Sequence, residues 1–203
     1  MTGWIDKGVE LGPGSEIGRN CIIYGPAKIG SNVKIHTGVV IGEPGEHLHK
    51  ASTGTIVIGD GVTLREYVVV QRGLEDGRGT TIGDGCYIMH GAHVAHDVVI
   101  GQSVIASPYV VFGGHVTVLD GANLGIAAGI HQWVAIGGCA MVGMNATVLH
   151  DVPTASIVVG SPARVIGQNT EGIKRAGYSM QRMAALVDRY AEVSGKRPGM
   201  KAT

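Results

Sequence analysis

The chain of 203 residues has few aromatic side chains and no excess of either charge. Phe, Trp and Tyr together make up 4% of the residues, and there is a single Phe. This scarcity indicates a narrow interior without room for large rings. Sixteen Lys and Arg residues balance sixteen Asp and Glu residues. We therefore expect neither nucleic acid nor an anionic membrane as a partner.

The sequence also lacks a long uncharged apolar run, a basic-then-apolar leader and a cysteine motif. The first two absences predict a protein without an integral membrane segment, located in the cytoplasm. Cys21, Cys86 and Cys139 are odd in number and share no metal-ligand spacing. We predict that they are buried, reduced thiols, and we expect neither a metal nor a cofactor.

The most regular feature of the sequence is an apolar residue at every sixth position. Twelve successive sixth residues from Ile82 to Val148 are apolar, and shorter blocks run from Leu11 to Ile41 and from Ile58 to Val70. A period of six fits neither an α-helix nor the alternation of a hairpin sheet. It predicts a three-sided parallel β-solenoid, with one inward residue on each short strand. The twenty-one units make seven coils of three.

Two breaks in the period and a change of pattern near residue 165 divide the chain. The breaks predict loops at 43–57 and 72–81 within a solenoid that covers 1–165. Residues 166–203 are predicted to be helical, with Asn169 or Thr170 capping a short helix that ends at Gly177. The apolar face of a second helix is predicted from Met180, Met183, Ala184, Val187 and Tyr190. From Glu171 onward the chain is basic, which suits either a solvated helix face or a dock for an acidic partner.

A spacing of eighteen residues, one full coil, places His96, Gly114 and Gln132 on one edge of the solenoid. His90 belongs to a different face, and we interpret it as structural. The edge is suited to acyl transfer by general-base catalysis, with an imidazole, an orienting carboxylate on Asp97 and a peptide N–H for an oxyanion. The absence of an H-x4-H pair disfavours metal-dependent hydration, and no Ser or Cys motif indicates a nucleophile.

Several ordered motifs resemble those of the acyl-carrier-protein-dependent UDP-N-acetylglucosamine O-acyltransferases of lipid A synthesis. The matching segments, which span most of the chain, are Ala92 to Asp97, Gly113 to Val116, His131-Gln132 and Asn169 to Arg175. The resemblance implies a left-handed parallel β-helix of hexapeptide repeats with a short C-terminal α-helical tail. It also implies a homotrimer with active sites between subunits, and acyl carrier protein and a nucleotide sugar as partners.

The resemblance further implies roles for individual residues. His96 is implied as the general base that takes the proton from the sugar 3-hydroxyl, with Asp97 orienting it and Gly114 supplying the oxyanion N–H. Substrate-binding residues implied in the same way are His93, His115, His131, Gln132, Asn169, Glu171 and Arg175. Met144 stands where the family sets acyl-chain length, so we expect a short or medium acyl chain.

The chain departs from the family at three places that contact the acceptor. His49 or Lys50 stands for a phosphate-binding lysine, Gln71 for a histidine and Ala176 for a second arginine. We therefore expect a shortened or divergent member that uses UDP-N-acetylglucosamine or a related UDP-linked amino sugar. Two alternatives are an acetyl-coenzyme A-dependent sugar acetyltransferase, whose closing sequence resembles residues 160–164, and a non-catalytic nucleotide-sugar-binding homologue.

Overall fold

The computed structural model describes residues 3–75 and 77–195 of the chain. Twenty-four short strands and two helices lie within these residues. The strands form three sheets, here called A, B and C, in which neighbouring strands are three apart in the chain and pair in parallel. The exceptions are in sheet C, where the neighbours β21 and β23 are two apart and β23 pairs antiparallel with β24. Each group of three strands is thus one turn of a parallel β-helix with three flat sides.

The strands are short because each spans one side of the prism. Sheet A contains β1 (Trp4–Ile5), β4 (Ile22–Ile23), β7 (Val40–Glu43), β10 (Val69–Gln71), β13 (His93–Val94), β16 (Val111–Phe112), β19 (Gly129–Ile130) and β22 (Thr147–Val148). Sheet B contains β2 (Val9–Leu11), β5 (Ala27–Ile29), β8 (Ile56–Ile58), β11 (Thr80–Ile82), β14 (Val99–Ile100), β17 (Thr117–Val118) and β20 (Ala135–Ile136). Sheet C contains β3 (Glu16–Ile17), β6 (Lys34–Ile35), β9 (Thr63–Leu64), β12 (Tyr87–Ile88), β15 (Ile105–Ala106), β18 (Asn123–Leu124), β21 (Met141–Val142), β23 (Ser156–Val159) and β24 (Arg164–Gln168). The chain continues into α1 (Thr170–Ala176) and α2 (Met180–Val193).

The core is a column of the residues that recur every sixth position. Val94, Phe112 and Ile130 pair in register on successive coils of sheet A, and all three are buried. Phe112 is the single Phe of the sequence and is fully enclosed. The predicted inward phase of the repeat is therefore confirmed, and the interior is only wide enough for one aliphatic layer per side.

The described residues form eight coils, one more than the repeat predicts. At the beginning, Ile5 keeps the period but is half exposed in β1. At the end, Val152 follows Val148 after four residues instead of six and bridges to Ile136, and Val158 completes the coil in β23. In this shorter unit the Asp151 carboxylate accepts a hydrogen bond from Ala135 N–H at 2.8 Å.

Both loops leave the β-helix at the same corner, where the chain passes from sheet A to sheet B; this corner is called the AB edge. They cover 44–55, between β7 and β8, and 72–79, between β10 and β11. The loops hydrogen-bond to each other, since Gly54 N–H donates to Gly73 O at 2.9 Å and Glu75 N–H donates to Ala51 O at 3.0 Å. They therefore form one layer over the AB edge.

The helices are capped as the sequence predicts, but the second one buries a different face. Asn169 caps α1 by accepting from Gly172 N–H, and Gly177 ends it with a positive φ of 62°. In α2 the buried residue is Leu186, and Met180 is 90% exposed. Of the predicted apolar face, Met183 and Tyr190 do pack inward, whereas Met180, Ala184 and Val187 are exposed. The face is rotated because Leu186 packs against Gly138, where a Cβ would meet its Cδ1 at 2.7 Å.

The remaining sequence expectations on the fold concern β24, the thiols and membranes. Strand β24 pairs antiparallel with β23, which the repeat does not predict. All three cysteines are buried and free, as predicted, and burial raises the pKa of the Cys86 thiol to about 12. Among the described residues no helix has the length and apolar character needed to span a bilayer. The basic residues Lys196, Arg197 and Lys201 lie outside the described part of the chain.

Candidate active site

His96 and Asp97 form a buried pair at the AB edge. The His96 Nδ1 lies 3.0 Å from Asp97 Oδ2, and Asp97 is completely buried. An ionised carboxylate can only accept, so Nδ1 carries the proton and Nε2 is left with a free lone pair. This is the tautomer that a general base requires.

The Asp97 carboxylate is held by the 72–79 loop. Its Oδ2 accepts a hydrogen bond from Leu74 N–H, and its Oδ1 accepts one from Gly79 N–H, both at 3.1 Å. The Asp97 backbone N–H donates to the hydroxyl of Thr80 at 2.9 Å. With the ring N–H of His96, three N–H groups satisfy the carboxylate oxygens, which stabilises the charge of this buried group. The loop that interrupts the repeat is thus the support of the pair.

Gly114 lies directly beneath the imidazole of His96. A Cβ at Gly114 would be 2.5 Å from His96 Cε1 and 2.7 Å from Nε2. The absence of a side chain at Gly114 therefore leaves the space that the imidazole occupies. The Gly114 N–H has no hydrogen-bond acceptor within the described residues, so it remains free to donate.

His115 and Trp133 extend the column toward the C-terminal end. Their rings stack with centroids 3.8 Å apart and an interplanar angle of 11°, and the His96 and His115 ring centroids are 5.1 Å apart. Burial lowers the pKa of His115, which favours the neutral ring. Sequence reasoning missed Trp133, although the same spacing of eighteen from His115 would have found it.

Arg78 fastens the backbone of this column from the 72–79 loop. Its Nε donates to Asp97 O at 3.0 Å, and its Nη2 lies within hydrogen-bond distance of His115 O at 3.0 Å and of the Thr117 hydroxyl at 2.9 Å. One guanidinium thus ties together the turns of two successive coils. No pattern in the sequence pointed to Arg78, because its contacts depend on how the loop folds back.

The 44–55 loop forms the other wall of the site. Gly45 packs against His96, since a Cβ there would lie 2.7 Å from the His96 Cβ. The ring of His47 is 6.2 Å from that of His96, and His49 lies a further 6.3 Å beyond His47. The charge of Lys50 acts on His115 and contributes to lowering the pKa of that ring. His49 and Lys50 are the two candidates for the phosphate-binding position, and Lys50 is close enough for its charge to act on His115.

The remaining residues predicted near His96 lie at or next to the AB edge. His93 is on β13, where burial lowers its pKa. His131 and Gln132 are exposed, and His131 Nδ1 hydrogen-bonds to the Gln132 carbonyl at 3.0 Å. Gln71 is 97% buried beneath the surface, and its Oε1 has no hydrogen-bond partner in the described structure. Gln71 is therefore enclosed at the end of β10 rather than exposed like His131 and Gln132.

Four predicted residues lie away from His96 within one chain. Asn169 uses its side chain to cap α1 and to donate to Cys139 O at 2.8 Å. Glu171 pairs with Lys174 on the exposed side of α1. Arg175 borders a cavity of about 330 Å³ at the corner between sheets B and C, and Met144 is exposed at the corner between sheets C and A. None of the four is brought to the AB edge by the fold of a single chain.

One group of side chains among the described residues has the geometry to hold a metal ion. His96, Asp97 and His115 offer one ligand atom each within 4.8 Å of one another. The Asp97 oxygens already accept from two backbone N–H groups and from the imidazole of His96. The Asp97 oxygens and the His96 ring thus already hydrogen-bond to each other, as a general base held by a carboxylate requires.

Comparison with known proteins connects this geometry to a family. The profile of the Bacterial transferase hexapeptide family (six repeats) matches residues 8–43 and 79–114. An acyl-[acyl-carrier-protein]–UDP-N-acetylglucosamine O-acyltransferase of Synechocystis sp. is 38% identical over 166 residues, which are 81% of this chain and 60% of the relative. A protein of the same name from Sinorhizobium fredii is 34% identical and covers 89% of this chain and 67% of the relative. The chain belongs to this acyltransferase family.

Solved structures agree with the assignment. A UDP-N-acetylglucosamine acyltransferase from Campylobacter jejuni aligns with a TM-score of 0.83 and 25% identity, over 93% of this chain and 74% of that one. LpxA from Acinetobacter baumannii aligns with a TM-score of 0.81 and 27% identity, over 98% and 84%. The fold is the left-handed β-helix of this family with a C-terminal helical segment, as predicted. The chain spans about 60% of the length of the Synechocystis relative.

Proposed function

We propose that this member of the family transfers an acyl group from an acyl-carrier-protein thioester to a UDP-linked amino sugar such as UDP-N-acetylglucosamine. The observation that carries the proposal is the His96–Asp97 pair, in which Nδ1 faces the carboxylate, with the Gly114 N–H beside it and without an acceptor among the described residues. Relatives named for this reaction are 34% and 38% identical to the chain. The pair and its neighbours are the parts that this reaction needs from the protein.

In the proposed reaction His96 acts first as a base and then as an acid. Nε2 takes the proton of a sugar hydroxyl as that oxygen attacks the thioester carbon, which forms the C–O bond. The carbonyl oxygen becomes an oxyanion, to which the Gly114 N–H donates a hydrogen bond. When the C–S bond breaks, the thiolate receives the proton from the imidazolium. Asp97 stabilises the imidazolium between these two steps.

A homotrimer with its sites between subunits is part of the proposal. Asn169, Glu171, Arg175 and Met144 lie at other corners of the prism than His96, so only a neighbouring copy can bring such residues to the base. The corner between sheets C and A also exposes Tyr67, Tyr109, Ile126 and Met144. A row of exposed apolar side chains is a suitable contact surface for a second copy. Sedimentation equilibrium is expected to give three times the mass of the chain, and a monomeric active enzyme would refute this part.

The test of the activity offers the purified protein pairs of donors and acceptors. Acyl-carrier-protein thioesters and matched coenzyme A thioesters are each combined with UDP-N-acetylglucosamine and other UDP-sugars, and products are identified by mass spectrometry. Acylated UDP-sugar formed from the carrier-protein donor is the expected result. Product from acetyl-coenzyme A alone would instead favour a sugar acetyltransferase, and binding without any product would favour a nucleotide-sugar-binding homologue.

Acyl-chain length is proposed to depend on Met144. The side chain is exposed in the turn between β21 and β22, where it can narrow a groove shared with a neighbouring copy. Replacing Met144 by Gly is expected to shift the preferred donor toward longer acyl chains in a panel of carrier-protein thioesters. An unchanged donor preference would show that Met144 does not determine acyl-chain length.

A further inference from the structure

A cavity of about 400 Å³ separates sheet B from helix α2, next to the proposed site. Its walls include Arg78, His115, Thr117, Trp133, Arg189 and Val193. His115 belongs to both places, because its ring is 5.1 Å from the ring of His96 and also lines the cavity. A molecule in the cavity therefore contacts the same imidazole column that carries the base.

The cavity concentrates positive charge. Every hydrogen bond that the described structure gives the Arg78 side chain goes to a neutral acceptor, three carbonyls and one hydroxyl. Arg189 faces it from α2, near enough for its charge to act on Arg78. The Glu192 carboxylate, which also lines the cavity, forms an ion pair with Arg189 at 2.7 Å. Within the described residues no carboxylate hydrogen-bonds to Arg78, although the charge of Asp97 acts on it, so the cavity keeps a partly buried guanidinium that can attract an anion.

The uncharged part of the lining favours an organic anion over a bare ion. Trp133 stacks on His115 and presents an aromatic edge to the cavity, and Val134, Ala135 and Val193 add apolar surface. The hydroxyl of Thr117 adds a polar group beside Arg78. Guanidinium groups recognise phosphate with two parallel hydrogen bonds, and an apolar wall holds the atoms attached to it.

We propose that this cavity binds the phosphate-bearing part of a reactant, with Arg78 and Arg189 holding the phosphate and Trp133 forming the wall. The inference rests on the proposed acyl transfer, since both of its reactants carry phosphate: the nucleotide diphosphate of the acceptor and the phosphopantetheine arm of the donor. The chemistry recognised is a phosphate ester in either case. The two sources differ in the rest of the molecule, so they are separated by experiment.

Two substitutions on one turn of α2 test the cavity with opposite expected signs. Arg189→Gln removes a cation from the cavity, and Glu192→Gln removes the anion that opposes phosphate. Binding of UDP and of 4′-phosphopantetheine to the full-length protein is measured by titration calorimetry. We expect Arg189→Gln to weaken one of the two probes at least about tenfold and Glu192→Gln to strengthen the same probe several-fold. Arg19→Gln is the charge-matched control, because Arg19 is exposed and lies near the N-terminal end of the β-helix, away from the cavity. It should change neither affinity.

The outcomes separate this proposal from that of the activity, because binding is measured without acyl transfer. A loss confined to UDP assigns the acceptor to the cavity, and a loss confined to 4′-phosphopantetheine assigns the donor. If both substitutions weaken binding alike, the Arg189–Glu192 pair is merely structural and the proposal is wrong. Unchanged affinity for both probes, or no binding of either probe to the unsubstituted protein, overturns it as well. If product still forms while these affinities are unchanged, the proposed acyl transfer stands and only the proposed phosphate site in the cavity is refuted.

Discussion

The three corners of the prism have the same kind of backbone turn and differ in the side chains at that turn. At each corner a residue with positive φ recurs every eighteen positions. The AB edge has Gly79, Asp97, His115 and Trp133; the corner between sheets B and C has Gly85, Ser103, Gly121 and Cys139; the corner between sheets C and A has Gly91, Tyr109, Ala127 and Asn145. The turn residues have positive φ at all three corners, so a first difference between the candidate site and the other corners lies in the side chains.

The AB edge differs from the other two in a second way. The two long insertions, 44–55 and 72–79, both emerge there and cover the turn. Asp97 consequently becomes fully buried and receives backbone N–H donors, whereas the corresponding Tyr109 on the corner between sheets C and A is 55% exposed. The two loops thus bury the turn at Asp97 and create the candidate site at this edge of a repetitive fold.

The largest expected effect comes from removing the charge of Asp97 at its turn. Asp97→Asn keeps the size of the side chain but deprives the His96 Nδ1–H of its carboxylate, so the required tautomer is no longer fixed. We expect a loss of about 10²–10⁴ in kcat, measured by product formation under saturating substrates. The reverse exchange on another corner, Asn20→Asp at a turn residue with φ 58°, should leave kcat unchanged. Equal effects at both corners would contradict the distinction between the edges.

A methyl group placed beneath the imidazole is expected to have the next largest effect. In Gly114→Ala the Cβ would lie 2.5 Å from His96 Cε1, so the ring must move away from its productive position. Misplacement by about 1 Å costs on the order of 10² in rate. Gly129→Ala is the matched control, because a Cβ there meets no atom within 4 Å. Retained activity in Gly114→Ala would mean that the imidazole position is not critical.

Loss of the hydrogen bond that supports the Asp97 turn is expected to have a smaller effect, on stability rather than on rate. Thr80→Val leaves the buried Asp97 N–H without its acceptor at 2.9 Å. An unsatisfied buried donor costs about 1–3 kcal/mol, which should appear in the free energy of unfolding measured by urea denaturation. Thr147→Val, which loses a hydroxyl contact on exposed β22, should cost under about 1 kcal/mol. Equal losses would show that the covered edge is no more dependent on its hydrogen bonds than an open strand.

The smallest expected effect is a pH dependence of stability that comes from His115. Its pKa is below the usual 6.5 in the folded protein because it is buried, so the unfolded chain binds the proton more readily. Its contribution to stability is complete above pH 6.5 and is lost as the pH falls through the folded-state pKa. The loss is expected to stay below about 1 kcal/mol, since the ring is partly solvated. Unfolding of His115→Gln followed between pH 7 and 5 should lack this component, and an unaltered profile would contradict it.

The sequence was sufficient for the fold because the repeat encodes both the strand positions and the inward face. Each sixth residue from Ile82 to Val148 must be apolar to fill a coil, and eighteen residues must bring turns into line. The same arithmetic placed His96, Gly114 and Gln132 together and would have placed Trp133. The orientation of α2 was mispredicted, since helical periodicity alone does not say that Leu186 meets the gap at Gly138.

The surroundings of Asp97 could not be predicted in the same way. The extra residues between β10 and β11 have no period, so nothing in their order indicated that Leu74 and Gly79 would donate to one carboxylate. Arg78 reaches carbonyls of Asp97 and His115 that are nineteen and thirty-seven residues away. Such contacts depend on how the loop folds over a completed corner, and they distinguish the candidate site from the other turns.

The most direct test of the account compares two histidines that both hydrogen-bond a neighbour at a corner of the prism. His96 pairs with Asp97 at the covered AB edge, and His90 pairs with the Tyr109 hydroxyl at 2.7 Å on the open corner between sheets C and A. The rate of acyl transfer is measured for His96→Ala and His90→Ala, with circular dichroism to verify folding. The account predicts a fall of about 10²–10⁴ for His96→Ala and little change for His90→Ala. Undiminished turnover in folded His96→Ala would contradict it.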